Sequence, residues 1–98
     1  MPSFQVLFSK KAGHDFQRLA EGERLALSEE LLILESEPFP FKKKIKKIKG
    51  SKEALYRLRV DLRTQSYRVF YSILKPDRVI LLRIVPKKDA DRVLAALL

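Results

Sequence analysis

The chain has no cysteine, and with it no disulfide framework, no thiolate nucleophile and no cysteine-based metal site. Its single histidine, His14, stands between Gly13 and Asp15 in a helical stretch and reads as a surface residue without a role. The three glycines, Gly13, Gly22 and Gly50, are isolated, so no glycine-rich loop can cradle a phosphate. No apolar run approaches the roughly 20 residues of a membrane span. Phe4, Val6 and Phe8 alternate and meet Lys10 early, which reads as a first strand and not a signal peptide. Acids are scarce after residue 37: only Glu53, Asp61, Asp77, Asp89 and Asp91. Most fall at expected turns or on a terminal helix, and Asp89 and Asp91, two apart on a helix, do not face each other. A multi-carboxylate metal centre is therefore not expected, nor any cofactor. The composition is that of a soluble cytoplasmic domain with no membrane contact.

What the chain does have is positive charge, unevenly placed. Twenty-one Lys/Arg stand against twelve Asp/Glu, a formal balance of +9. Residues 1–37 carry −3, whereas residues 38–98 carry +12. Such polarity costs self-repulsion, which makes a polyanion or an acidic protein the first partner to consider. At 98 residues and 46% hydrophobic content, one domain spanning 1–98 with one core is expected.

Residues 3–9 alternate as a strand. From Lys10 the period changes: Ala12, Phe16, Leu19 and Ala20 share one helical face, with Ser9 as cap and Gly22 as the terminating residue. Leu27, Leu31 and Leu34 form a second helical stripe, widened by Leu25 and Leu32 and closed by Pro38. Lysines at 42, 43, 44, 46, 47 and 49, broken only by Ile45 and Ile48, mark a short edge strand or loop. Strands at 54–62 and 67–74 follow, then a turn at Lys75-Pro76-Asp77 and a strand from Arg78 to Val85. That strand is apolar on both faces except Arg83, as expected of a central, covered strand. Pro86 stops it, and residues 88–98 read as a short helix with Ala90, Val93, Leu94 and Leu97 on one face. The class is α+β: an N-terminal strand, a two-helix antiparallel hairpin, a three- to four-stranded antiparallel sheet and a short C-terminal helix, the helices gathered on one face.

The stretch LYRLRVDLRTQSYRVFY, Leu55 to Tyr71, carries the chemistry. Tyr56, Leu58 and Val60 share one side of a strand while Arg57 and Arg59 share the other. Tyr67, Val69, Tyr71 and Ile73 alternate with Arg68, Phe70 and Ser72 in the next. Guanidinium groups are rarely buried unpaired, so the array is either a solvated face paired to Asp61 or Glu53, or a surface for phosphate. RNA carries its own nucleophile, the 2′-hydroxyl. Fixed cations that align it and neutralise the phosphate can cleave it without a metal. A plain RNA-binding surface would need the same residues.

Lys47-Ile48-Lys49-Gly50, Leu55-Tyr56-Arg57-Leu58-Arg59, Tyr67-Arg68-Val69-Phe70-Tyr71 and Val79 through Lys88 resemble, in order and spacing, the RelE/ParE toxin superfamily. The resemblance implies a type II toxin: a metal-independent endoribonuclease that cuts messenger RNA in the ribosomal A site. The alternatives within it are a ParE-like inhibitor of DNA gyrase and a member that binds RNA without cutting. It further implies Arg57, Arg59, Arg68, Lys87 and Lys88 as catalytic residues, Arg68 holding the scissile phosphate. Lys43, Lys44, Lys46, Lys47, Lys49 and Arg83 would contact RNA, including ribosomal RNA. The implied partner is an acidic antitoxin, which would also supply any contact with DNA. The chain departs from the pattern in having Pro86 before the terminal basic pair. It also has no aromatic residue between Asp89 and Leu94, where RelE-like nucleases often carry a base-stacking tyrosine.

Overall fold

The computed structural model describes residues 3–98. In chain order its elements are β1 (Gln5–Phe8), α1 (Lys10–Gln17), α2 (Glu21–Leu31), α3 (Ile33–Ser36), β2 (Ile45–Ile48), β3 (Leu55–Asp61), β4 (Ser66–Leu74), β5 (Arg78–Pro86), a 3₁₀ turn (Lys87–Asp89) and α4 (Ala90–Leu97). The sheet has five strands in the order β1-β5-β4-β3-β2. β2 to β5 form the expected antiparallel meander, and β1 joins it parallel to β5, Gln5 opposite Arg78 and Phe8 opposite Leu81. The expected antiparallel sheet is thus present as β2 to β5, and the expected N-terminal strand adds a fifth strand to it, making the whole sheet mixed. β5 lies between β1 and β4, as its two apolar faces require.

The helices do not gather on one face. Ala12, Leu27, Leu31 and Leu34 of the first three helices pack with Leu58, Val60, Tyr67, Val69, Tyr71, Val79, Leu81 and Ile84. A separate cluster on the opposite side joins Leu55, Phe70 and Val85 to Val93 of α4, with Leu82, Ala90, Leu94 and Leu97 packed against it. The strands alternate so cleanly that each face needs its own cover. Among the described residues no helix is long and apolar enough to cross a membrane.

Helix boundaries differ from the sequence reading for local reasons. Ser9 caps α1 as expected, its hydroxyl accepting the Ala12 N–H at 3.1 Å. Gly22 does not end that helix; it sits in the first turn of α2. The end of α1 is held instead by Arg24, whose Nη1 donates to the Leu19 carbonyl at 2.6 Å. Leu25 and Leu32 do not widen the buried stripe: they are 65% and 58% exposed, while Leu27 and Leu34 are fully buried. The chain breaks at Leu32 between α2 and α3. The Pro38–Phe41 crossing is anchored by the Tyr71 hydroxyl, which donates to the Pro38 carbonyl at 2.8 Å, and by Phe39 edge-on to Phe4.

β1 ends opposite Leu81, leaving the outer edge of β5 open beyond it. α1 covers that edge with side chains. Ser9 Oγ donates to the Leu82 carbonyl at 3.2 Å, and Asp15 Oδ2 accepts the Ile84 N–H at 2.9 Å. The same carboxylate takes Arg83 in a two-pronged ion pair, Nε at 2.8 Å and Nη2 at 3.1 Å. That bond to Asp15 raises the Arg83 pKa above its ordinary value.

Candidate nucleic-acid interface

Register brings the three arginines of β3 and β4 to one face. Arg59 stands directly opposite Arg68, and Arg57 opposite Phe70, so Arg57 and Arg68 are diagonal neighbours. The hairpin closes with Leu62 N–H on the Gln65 carbonyl. Counting back along an antiparallel ladder, Val60–Tyr67 is the next hydrogen-bonded pair and Arg59–Arg68 a non-bonded one, the kind whose side chains lie closest, with Cα atoms about 4.5 Å apart. Like charges at such a pair repel.

Their surroundings are unequal. Arg68 is only 8% exposed, beside Phe70 on its own strand and opposite Val85, both covered by α4. Its sole side-chain bond among the described residues is Nη1 to the Tyr67 carbonyl at 3.0 Å, and no carboxylate pairs with it. Arg57 is half-buried, donates Nη2 to the Lys43 carbonyl at 2.9 Å, and has a buried Nε without a partner. Burial first, then the charges of Arg68 and Arg59, pull its pKa below the ordinary arginine value. Arg59 is exposed and leans on Asp61, Nε to Oδ2 at 2.9 Å, which leaves both Nη groups without a hydrogen-bond partner among the described residues. Asp61 also accepts from the Ser66 hydroxyl at 2.6 Å; that bond, then Arg59, lowers its carboxyl pKa. Among the described residues Asp61 is thus the one carboxylate paired with any of the three guanidiniums, and it pairs with Arg59 alone. Of the two acids weighed as partners for the array, Asp61 pairs and Glu53 forms no ion pair with it.

Register also divides the lysines. Lys46 lies opposite Arg57 and extends the cationic face, whereas Lys47 lies opposite Tyr56 and points to the side that packs on α1–α3. Lys44 is bound to Glu30 of α2 at 3.0 Å. Lys43 gives its carbonyl to Arg57 and is itself exposed. Lys49 is exposed just past β2, and Lys87 and Lys88 are exposed in the 3₁₀ turn two and three residues beyond Val85. Arg83, expected among the RNA contacts, is committed to Asp15. The sequence reading missed Glu30, because nothing in a helical pattern says which acid will reach a turn twelve or more residues on.

The hairpin that carries the arginines is fixed from behind. Glu23 of α2 accepts from the Thr64 hydroxyl and from the Tyr67 hydroxyl, each at 2.8 Å. Those two bonds hold the Glu23 carboxyl below its usual range. Burial, then the bond to Glu23, pushes the Tyr67 phenol up to about 12. The link between α2 and the β3–β4 turn keeps Arg59 and Arg68 in register.

The fold is shared with solved toxins. Free Escherichia coli RelE, in a doubly substituted form, superposes with a TM-score of 0.70 at 20% identity, over 99% of this chain and 95% of that one. RelE in the archaeal RelE–RelB complex of Pyrococcus horikoshii gives 0.66 at 30% identity, over 87% of this chain and 96% of that one. The intact E. coli RelBE toxin–antitoxin complex gives 0.64 at 19% identity, over 86% and 95%. Among curated protein sequences nothing matches. The family model for the ParE toxin of type II toxin–antitoxin systems, parDE, matches residues 6–90. That match spans most of the sheet and its arginines, and with it the chain belongs to the RelE/ParE superfamily of type II toxins.

Proposed function

We propose that this toxin is a metal-independent endoribonuclease that cleaves messenger RNA at the ribosomal A site, acting in the cytoplasm. The observation that carries the reading is Arg68: a buried guanidinium in no ion pair among the described residues, facing a second arginine and flanked diagonally by a third. Such a cluster is electrostatically incomplete until an anion enters. A phosphodiester supplies two oxygens to a planar fork.

In the proposed reaction the 2′-oxygen attacks the adjacent phosphorus and the bond to the 5′-oxygen breaks. The products are a 2′,3′-cyclic phosphate and a 5′-hydroxyl. Arg68 clamps the phosphate. Arg57 and Arg59 hold the strand and assist the transfer of the proton from the 2′-hydroxyl to the leaving oxygen. Lys87 or Lys88 neutralises charge as it grows on the phosphate. Lys43, Lys44, Lys46, Lys47 and Lys49 extend the contact to ribosomal RNA. An acidic antitoxin is the proposed inhibitor, as the RelE–RelB complexes support, covering the basic face and ordering as it binds. Contact with operator DNA is left to that antitoxin.

Arg68→Ala should abolish messenger cleavage in a reconstituted translation system while leaving the fold intact by circular dichroism. Retained cleavage would refute the site. A second reading, ParE-like inhibition of DNA gyrase, is favoured by the family model itself and by the absence of an aromatic residue between Asp89 and Leu94. Inhibition of supercoiling with translation untouched would select it.

A further inference from the structure

The sheet ends at β2 on one side and at β1 on the other, and the two edges are finished differently. β2 carries Lys46 and Lys47, charges that discourage another strand from pairing with it. β1, Gln5–Phe8, carries no charge. Its Gln5 N–H donates to the Asp77 carbonyl at 2.8 Å, and the following Ser9 N–H donates to the Leu81 carbonyl at 2.9 Å. By the alternation of a strand, Val6 and Phe8 therefore turn their N–H and C=O groups away from β5. The Phe4 N–H, on the same outer side, is taken by the Glu35 carbonyl of α3 at 2.7 Å. Among the described residues no other group bonds this outer edge. A groove of about 170 Å³ opens beside it, lined by Val6, Phe8, Ser28, Leu31, Leu32 and Glu35, and Phe8 is 44% exposed.

We infer that this edge pairs with β1 of a second copy of the chain, antiparallel, about a twofold axis at Leu7. In that register Val6 and Phe8 of each copy exchange N–H and C=O groups with Phe8 and Val6 of the other. Leu7 meets Leu7 as the close, non-hydrogen-bonded pair. Side chains directly opposite share a face, so Phe8 lies against the other copy's Val6 on the α1–α3 side, where the exposed Leu32 lines the same seam. Charge selects the occupant. Lys10 follows the C-terminal end of β1, and α3 brings Glu35 to its N-terminal end; both are exposed and in no ion pair among the described residues. The dyad lays Lys10 of each copy beside Glu35 of the other. A uniformly acidic partner strand gains at Lys10 and loses at Glu35, and a uniformly basic one does the reverse; a second copy satisfies both ends. The arginines stand on β3 and β4, separated from β1 by β5, so the pairing leaves the cationic face of each copy open.

An edge of four residues makes a small interface, so the dimer should dissociate in the micromolar range. Sedimentation velocity of the antitoxin-free chain from about 1 to 300 µM reads it, for the unaltered protein, Lys10→Glu, Glu35→Lys and the double variant. Both positions are exposed, so the reversals should leave the fold intact by circular dichroism. Three results together support the pairing: a mass that doubles with concentration, a dissociation constant raised about five-fold or more by either single reversal, and recovery in the double variant. Amide exchange at Val6 and Phe8 should slow over the same concentration range. A monomer throughout, a dimer indifferent to all three variants, or growth past the dimer overturns it. Protection of Val6 and Phe8 that arises only when an antitoxin is added also overturns it, the edge then belonging to that partner.

Discussion

Replacing Arg68 by methionine should stabilise the free protein while destroying its proposed activity. The substitution keeps an unbranched chain at a position only 8% exposed, next to Phe70 and Val85. It removes a charge that burial has stripped of most of its water, at a cost of several kcal/mol. It also removes repulsion from Arg59 and Arg57. At roughly 7–8 Å with an effective dielectric near 20, each pair contributes about 2 kcal/mol before salt screening. Against these stands the loss of one charge-assisted bond to the Tyr67 carbonyl, about 1.5–3 kcal/mol. That carbonyl is not orphaned, because the ladder alternation leaves it the Val60 N–H. Since Asp61 offsets part of that repulsion and salt screens more of it, the net gain should be about 1–2 kcal/mol, a rise in Tm of roughly 4–15 °C for a domain of this size. Urea denaturation at 50 mM and 500 mM salt measures it, and the gain should shrink at the higher salt as the repulsion is screened. A loss of 1 kcal/mol or more would refute the reasoning: Arg68 would then be a structural residue and the charge cluster no cradle.

Asp15→Asn should behave in the opposite way. It leaves Arg83 without its bidentate partner and weakens the acceptor for the Ile84 N–H, so a loss of about 2–4 kcal/mol is expected in urea denaturation, with no gain at any salt. Acid should loosen the arginine hairpin. The Glu23 and Asp61 carboxyls are lowered in the folded state, so what they contribute is fully present above the unfolded carboxylate range, about pH 4–5, and is lost as pH falls through their folded values. Hydrogen-exchange protection at residues 62–66, taken relative to the intrinsic rate at each pH, should therefore fall below pH 4, and Glu23→Gln should flatten that dependence. An unchanged profile in the variant would detach the hairpin from α2.

The arginine face was legible because alternation is a local property: Arg57, Arg59 and Arg68 can be assigned to one side from the residues between them. Ser9 was legible for the same reason, a cap being set within three residues. The parallel pairing of β1 with β5 was not, since Gln5 and Arg78 meet across most of the chain and either edge of the meander offers equivalent backbone groups. The side chosen by α4 was equally hidden, because an apolar stripe at Ala90, Val93 and Leu97 fits whichever face is left uncovered. Among the lysines the composition could not separate Lys46 from Lys47. Only the register with Arg57 and Tyr56 does so, and a shift of one residue would exchange them.

That same sensitivity gives the arginines a second consequence. β3 and β4 each alternate between fully buried apolar residues and cations: Leu58, Val60, Val69 and Tyr71 inward to α1–α3, Arg57, Arg59 and Arg68 to the other side. Sliding either strand by one position would carry guanidiniums into the helical core, at a desolvation cost far above the stability of a domain of this size. Leu55 and Phe70 break the polar side of these two strands, and both lie in the cluster that α4 covers. The charges that destabilise the native sheet by repulsion destabilise its misregistered alternatives by more. The cationic face and the uniqueness of the fold therefore come from one pattern, and substitutions that relieve the first should loosen the second.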